Sequence, residues 1–299
     1  MTFPDVSFIS QNYPGILLDA YGVFWGGNAV GPIPGAKEMM EKLVAEGKIV
    51  GILSNATQRA ANEIKKVEAQ GLILAKHFHF YLTSGEVART VLLHEKLPFP
   101  TPRNQFCLFG KPHPKYGSHQ AVFHETQYLE TPNIAEADFV YLSVPHIDGQ
   151  DQVDPEVFRE ALEDLRRHNL PMVCLNPDEF AQEGNPVRLV VRQGSLAKMY
   201  EEMGGFVFYV GKPHPRVYQD AMRHFSHYNI VQPSDVLMVG DNPPTDIRGA
   251  RKFGMRSALV LETGLLAKKN HLETVQMLAD SDKPDYFIGR FGHDIHSSP

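Results

Sequence analysis

The sequence predicts an α/β fold with parallel sheets covered by helices on both faces, and three observations predict it. Short apolar runs bounded by Gly, Pro, Asn or Asp recur along the chain, stretches of helical periodicity separate them, and that alternation is the signature of parallel sheets. The third is size: 299 residues with 42% hydrophobic content can bury a sizeable core, in two lobes rather than one.

In chain order the apolar runs at 15–19, 48–54, 105–109, 138–144, 171–175, 187–191, 206–210, 235–239 and 256–261 read as strands. The periodic stretches between them predict helices at 35–46, 57–70, 84–96, 154–168, 194–203, 215–228, 245–253 and 265–279. The clearest is 154–168. Asp154 is placed to cap it, Pro155 suits the first turn, and Val157, Phe158, Ala161, Leu162 and Leu165 make one apolar face.

Composition excludes several classes. A net charge of −6, with like-charge runs no longer than pairs such as Lys65-Lys66 and Arg166-Arg167, offers no basic field for nucleic acid. No window approaches the ~18 apolar residues of a membrane span, and the opening MTFPDVSFISQNYPG lacks a basic segment followed by an apolar block. Cys107 and Cys174 sit far apart inside apolar runs, which suits buried thiols in a reducing compartment, and the expected location is cytoplasmic. The 14 histidines are scattered. His77 with His79, or His293, Asp294 and His296, would need metal-binding partners that local spacing does not supply, so solvated or capping roles are expected.

Reactive groups of an open parallel sheet gather beyond the carboxyl ends of its strands. Asp19 follows GILL, Ser54 and Asn55 follow KIVGIL, Lys212 follows FVFYVG, and Asp241, then Asp246, follow DVLMVG. Taken singly these signals are weak, since a strand-ending aspartate is often a helix cap, a serine a turn residue and a lysine a surface charge. The ordered set supports phosphoryl transfer through a covalent aspartyl phosphate, with Asp19 attacking phosphorus. Repulsion between anionic nucleophile and anionic substrate, worsened by Asp241 and Asp246, calls for a divalent cation with oxygen ligands, and Mg2+ fits. Lys212 and the Ser54 hydroxyl would hold phosphate oxygens as charge develops. The pentapeptide GKPHP occurs twice, at 110–114 and 211–215, and its flanks must decide which copy is chemical.

LLDAYGV, LSNAT, the second GKPHP and GDNPPTDI occur in that order, and in them the chain resembles the haloacid dehalogenase (HAD) superfamily of aspartyl-nucleophile hydrolases. LTSGEVA at 82–88, LNPDEF at 175–180 and RQGSLAKMYEEMGG at 192–205 narrow the likeness to the class IIA sugar and nucleotide phosphatases, which carry a large α/β cap between the second and third motifs. The resemblance implies a three-layer Rossmann-like core from 1–84 and 192–299 and an α/β cap at 85–191, enclosing a small phosphorylated metabolite between the two lobes. It implies Asp19 as nucleophile and magnesium ligand, and a backbone carbonyl of residue 21 on the metal. Ser54 and nearby Asn55 would bind phosphate, Lys212 would neutralise nucleophile and phosphate, Asp241 would ligate magnesium, and Asp246 would hold its waters or Lys212. Magnesium is the only cofactor implied. Homodimers are common in such families and one is an expectation here. In this scheme the second GKPHP is the chemical copy and Lys111, before PKYGSHQ, is a cap residue. Asn176 and Asp178 would contact the leaving group, although NPDE is also a good turn.

The departure is Tyr21, where class IIA phosphatases usually have a second aspartate that protonates the leaving oxygen and then activates water. A phenol of pKa about 10 can donate a proton but is a poor base near neutrality. Three readings follow. The chain is a phosphatase for a leaving group needing little protonation, or with another group or water replacing the acid; it binds a phosphorylated ligand with little turnover; or it is a dehalogenase, since DAYG resembles that branch. Against the last stand Asp241 and Asp246, whose charges would repel a haloacid in the absence of a metal. Trp25 in VFWGG suits packing better than an entrance wall, and Arg188, Arg192 and Arg248 carry no assignment.

Overall fold

A computed structural model describes residues 3–27, 30–183 and 188–292. His293, Asp294 and His296 lie outside the described residues. In chain order the strands are β1 Gly15–Leu18, β2 Ile49–Ser54, β3 Phe80–Thr83, β4 Gln105–Phe109, β5 Leu129–Glu130, β6 Phe139–Leu142, β7 Met172–Cys174, β8 Phe180–Glu183, β9 Arg188–Val191, β10 Val207–Tyr209, β11 Val236–Gly240, β12 Arg256–Val260 and β13 Tyr286–Ile288. One sheet has the order β13-β12-β11-β1-β2-β3, a second β10-β7-β6-β4-β5, and β8 with β9 forms a ribbon.

The chain is α/β, as its alternation predicts. β1 pairs in parallel with both β11 and β2, setting Leu18 beside Val239 and Ile52, and every pair of the five-stranded sheet is parallel. The run at 187–191 is the exception: β9 pairs antiparallel with β8, Phe180 opposite Val191, and joins neither large sheet. Strands β3, β5, β8 and β13 escape a reading by apolar runs because they are short and, in FAQE and LE, half polar.

The chain divides into two compact units, residues 1–54, 61–82 and 212–299 in one and 55–60 with 83–211 in the other. The expected return to the core at 192 thus occurs at 212. The reason is packing: the helix Gln193–Glu202 buries Leu196, Ala197, Met199 and Tyr200 in the second unit's core, and β10 completes that unit's sheet by pairing with β7. In the first unit, Ile16 and Leu18, Val50 and Ile52, and Leu237 and Val239 form one apolar layer with Met39, Met40 and Leu43 of the helix Ala36–Ala45. Trp25 is buried in this layer, so it packs.

The predicted helix at 154–168 starts where expected, with the Asp154 side chain accepting from Glu156 N. Its first turn, Pro155–Phe158, is a 3₁₀ turn, followed by the α-helix Arg159–Arg166. A tighter turn changes the angular offset between residues. Phe158, Leu162 and Leu165 reach the core while Val157 stays 50% exposed. The stretch 265–279 is not one helix but a 3₁₀ turn Gly264–Leu266 and a short helix His271–Met277, because the Asn270 side chain caps a new start there. Among the described residues no helix is long and apolar enough to cross a membrane.

Candidate active site

β1 and β11 lie side by side, yet the chain runs outward from them in opposite directions, through β2 and β3 on one flank and β12 and β13 on the other. Ligands of open parallel sheets gather beyond the carboxyl ends of such a pair. Asp19 follows the last residue of β1 and Asp241 the last residue of β11, so topology alone makes these carboxylates neighbours. Asp246 joins them from Pro243–Ile247, a single wide π-helical turn in which Asn242 N donates to Asp246 Oδ2 at 3.1 Å. All three are buried, and each offers an oxygen within 4.8 Å of the others.

Glycines permit this closeness. Gly22 and Gly264 both take left-handed backbone angles, φ +81° and +67°, and a Cβ on either would come within 2.3 Å and 1.9 Å of Asp241 Oδ2. The backbone is thereby free to approach the carboxylate, and Leu265 N donates to Asp241 Oδ2 at 2.7 Å. A Cβ on Gly240 would likewise meet Asp246 Cβ at 2.3 Å. Thr263 Oγ1 donates to Gly22 O at 2.5 Å and ties the two glycine turns together.

Lys212 is 1% exposed. Its Nζ lies 2.5 Å from Asp19 Oδ1 and 2.8 Å from Asp246 Oδ1, and it donates to Leu53 O at 2.9 Å. Two hydrogen bonds and the ion pair with Asp246 fix the ammonium in place. Ser54 ends β2 and is buried, its hydroxyl hydrogen-bonded to Tyr81. Burial, with Glu63, Tyr21 and Asp19 nearby, holds the Tyr81 phenol well above its ordinary pKa, so it stays protonated beside Ser54.

Tyr21 is 37% exposed. Lys66 Nζ donates to Tyr21 Oη at 2.7 Å and to Glu63 Oε2 at 2.8 Å. The same ammonium lies 5.1 Å from the Tyr21 ring centroid and 5.6 Å from that of Trp25. Burial alone would lower the Lys66 pKa, but the facing Tyr21 and Glu63 outweigh it and raise it. Sequence reasoning missed this pair, since Lys65-Lys66 reads there only as a short like-charge run. A helix that places positions i and i+3 on one face, Glu63 and Lys66, was the signal to follow.

Asn55, expected beside Ser54 on phosphate, belongs to the other unit, where Ser84 Oγ donates to its Oδ1 at 3.2 Å. Asn176 and Asp178 are half-buried and build a turn: Asp178 N donates to Asn176 Oδ1 at 2.9 Å and Gly194 N to Asp178 O at 3.0 Å. Gly194 is needed there, because a Cβ would meet Pro177 O at 2.0 Å. Lys111 is exposed in the second unit.

A family model described as haloacid dehalogenase-like hydrolase matches residues 16–113, and a HAD-hydrolase-like model matches residues 209–291. Chronophin of Homo sapiens is 28% identical over 254 residues, covering 83% of this chain and 80% of the relative. The phospholysine phosphohistidine inorganic pyrophosphate phosphatase of Bos taurus is 25% identical over 84% of this chain and 83% of its own. Among solved structures, a haloacid dehalogenase-like hydrolase of Brucella suis 1330 superposes with a TM-score of 0.75 at 25% identity, covering 88% of this chain and 91% of that one.

Proposed function

The chain is a haloacid dehalogenase-like hydrolase of the class IIA phosphatase kind, and from that premise we propose that it removes phosphate from a small phosphorylated metabolite with magnesium at its carboxylate cluster. The observation that carries the reading is the buried cluster of Asp19, Asp241 and Asp246, with Lys212 paired to Asp19 and Asp246. Buried charges need partners, and the ammonium offsets only one of the three carboxylates. A hard cation with oxygen ligands fits that donor set. Asp19 and Asp241, with the backbone carbonyl of Tyr21, would hold it, and it would supply neutralisation of the substrate's negative charge.

The chain's own groups account for the rest. Asp19 attacks phosphorus, a carboxylate oxygen–phosphorus bond forms, and the ester oxygen–phosphorus bond breaks as the alcohol or phenol leaves. Water then attacks the aspartyl phosphate, releasing orthophosphate and restoring the carboxylate. Lys212, fixed by Leu53 O and Asp246, holds Asp19 in position and stabilises charge on the phosphoryl oxygens. The Ser54 hydroxyl donates to those oxygens. No aspartate stands two residues after Asp19, so protonation of a departing alcohol falls to the Tyr21 phenol or to water, and among phosphate esters those of the more acidic hydroxyls are favoured. Sugar phosphates and nucleotides are the substrate classes we place first, and the buried, unbridged Cys107 and Cys174 support a cytoplasmic site of action.

The test is orthophosphate release from 4-nitrophenyl phosphate and a panel of metabolite phosphates, with magnesium or chelator, against Asp19→Asn. Turnover that needs both Asp19 and magnesium is expected. Release no faster than the Asp19→Asn background on every compound would sink the phosphatase reading. A phosphate-binding protein would then be the better account, one favoured by Tyr21 Oη being held by Lys66.

A further inference from the structure

The rule that locates the carboxylates also singles out a place within the second unit. There the chain leaves β4 for β5 on one side, passes to β6 on the other, and continues through β7 to β10, so the strand order reverses between β4 and β6. Beyond the carboxyl ends of that pair lies a cavity of about 370 Å³, walled by the residues after β4 and β6 and by the turns of 155–166. The volume falls within the range of small-molecule sites.

Its wall is apolar at Phe109, Phe158 and Leu196, and Ile147 and Val157 beside it are 45% and 50% exposed. Apolar side chains left open around a concavity are surface for a ligand to cover. The rim carries one charge of each sign, Lys111 and Asp148, and among the described residues neither takes part in an ion pair. His146 staples the two loops: its Nδ1 accepts from Gly149 N at 2.9 Å and its Nε2 donates to Lys111 O at 3.1 Å. Each partner sets the tautomer for the other.

We propose that this cavity binds a small zwitterion with a large apolar side chain, of the chemical class of the aromatic and branched α-amino acids. The acid group pairs with Lys111, the ammonium with Asp148, and the side chain covers Phe109, Val157 and Ala161. The site shares no residue with Asp19, Ser54, Lys212, Asp241 or Asp246. The first GKPHP copy thereby gains a role of its own, because its lysine, Lys111, supplies the positive charge of the rim.

Calorimetric titration of the full chain with L-tryptophan tests this, alongside indole-3-propionate and tryptamine, which lack the ammonium and the acid respectively. One tryptophan per chain is expected, in wild type and in Asp19→Asn alike. Lys111→Glu and Asp148→Lys should each weaken it about tenfold or more, as should removing either charge from the ligand. Ala161→Phe, at an exposed position, should abolish binding while unfolding as wild type does by circular dichroism. Absence of saturable binding to wild type overturns the proposal. So do equal affinities for the charge-reversed variants, for either singly charged ligand or for Ala161→Phe, or competition by orthophosphate with magnesium.

Discussion

In the proposed reaction, activity turns on Asp19. Asp19→Asn keeps the shape but not the nucleophile, so release from 4-nitrophenyl phosphate should fall to background while the far-ultraviolet spectrum is unchanged. In the proposed reaction Tyr21 sets which leaving groups are accepted. Tyr21→Phe is expected to leave aryl phosphate turnover within a few-fold, and Tyr21→Asp to raise turnover of alkyl phosphates by about 10²- to 10⁴-fold, the usual worth of a positioned acid–base group. No gain with Tyr21→Asp would mean that something other than the missing aspartate limits the rate. Gly264 makes room rather than chemistry. Gly264→Ala forces a left-handed alanine against Asp241 Oδ2, at a cost of at least about 1 kcal/mol, and should abolish the rise in Tm on adding magnesium.

At the scale of elements, the two GKPHP copies show what sequence identity leaves undecided. In the second, Lys212 is buried and His214 leads into the helix Pro215–Ser226. In the first, Lys111 is exposed, His113 is buried, and the loop closes on an ionic node. There Arg192 bonds Asp151 Oδ1 at 3.0 Å, Tyr116 Oη at 3.0 Å and Glu183 Oε1 at 2.9 Å, and Lys115 bonds Asp151 Oδ2 at 3.0 Å. This is the role of Arg192 that spacing alone left unassigned: it ties β8, through Glu183, to the loop after β4. Asp151 keeps Lys115 and Glu183 is a third exposed, so Arg192→Met should lower stability by about 1–3 kcal/mol in urea unfolding, the cost of the hydrogen bonds it removes. Burial alone would raise the Asp151 pKa, yet the donors Lys115 and Arg192 hold it below the ordinary 3.8. A depressed carboxylate stabilises the fold above its unfolded pKa. That contribution is whole above about pH 3.8, fades as pH falls further, and is missing in Asp151→Asn.

At the scale of the molecule, the two units bury separate apolar clusters. The second is contiguous from 83 to 211 apart from a short piece at 55–60, so 83–211 expressed alone should unfold in one cooperative transition followed by circular dichroism. A non-cooperative loss of signal would show that its core is insufficient. Magnesium should act on the full chain alone: a cation bound only by the folded cluster adds about 2.7 kcal/mol at a hundred times its Kd. The Tm of the full chain should therefore rise with magnesium and return with chelator, and that of 83–211 should not move.

The sequence by itself determined the α/β class and the place along the chain of most strands, and it singled out Asp19, Lys212, Asp241 and Asp246, which the fold brings together, because strand ends and turn residues are local signals. Tertiary structure decided what depends on residues far apart in the chain. It sent Gln193–Glu202 and β10 to the second unit through the packing of Leu196, Tyr200 and Val207, and it set the Ser84 hydroxyl on Asn55 Oδ1, 29 residues away. It also set Lys66 against Tyr21, 45 residues away. Such partners are chosen by burial and by the need of buried charges for opposite charge, and neither can be read from spacing along the chain.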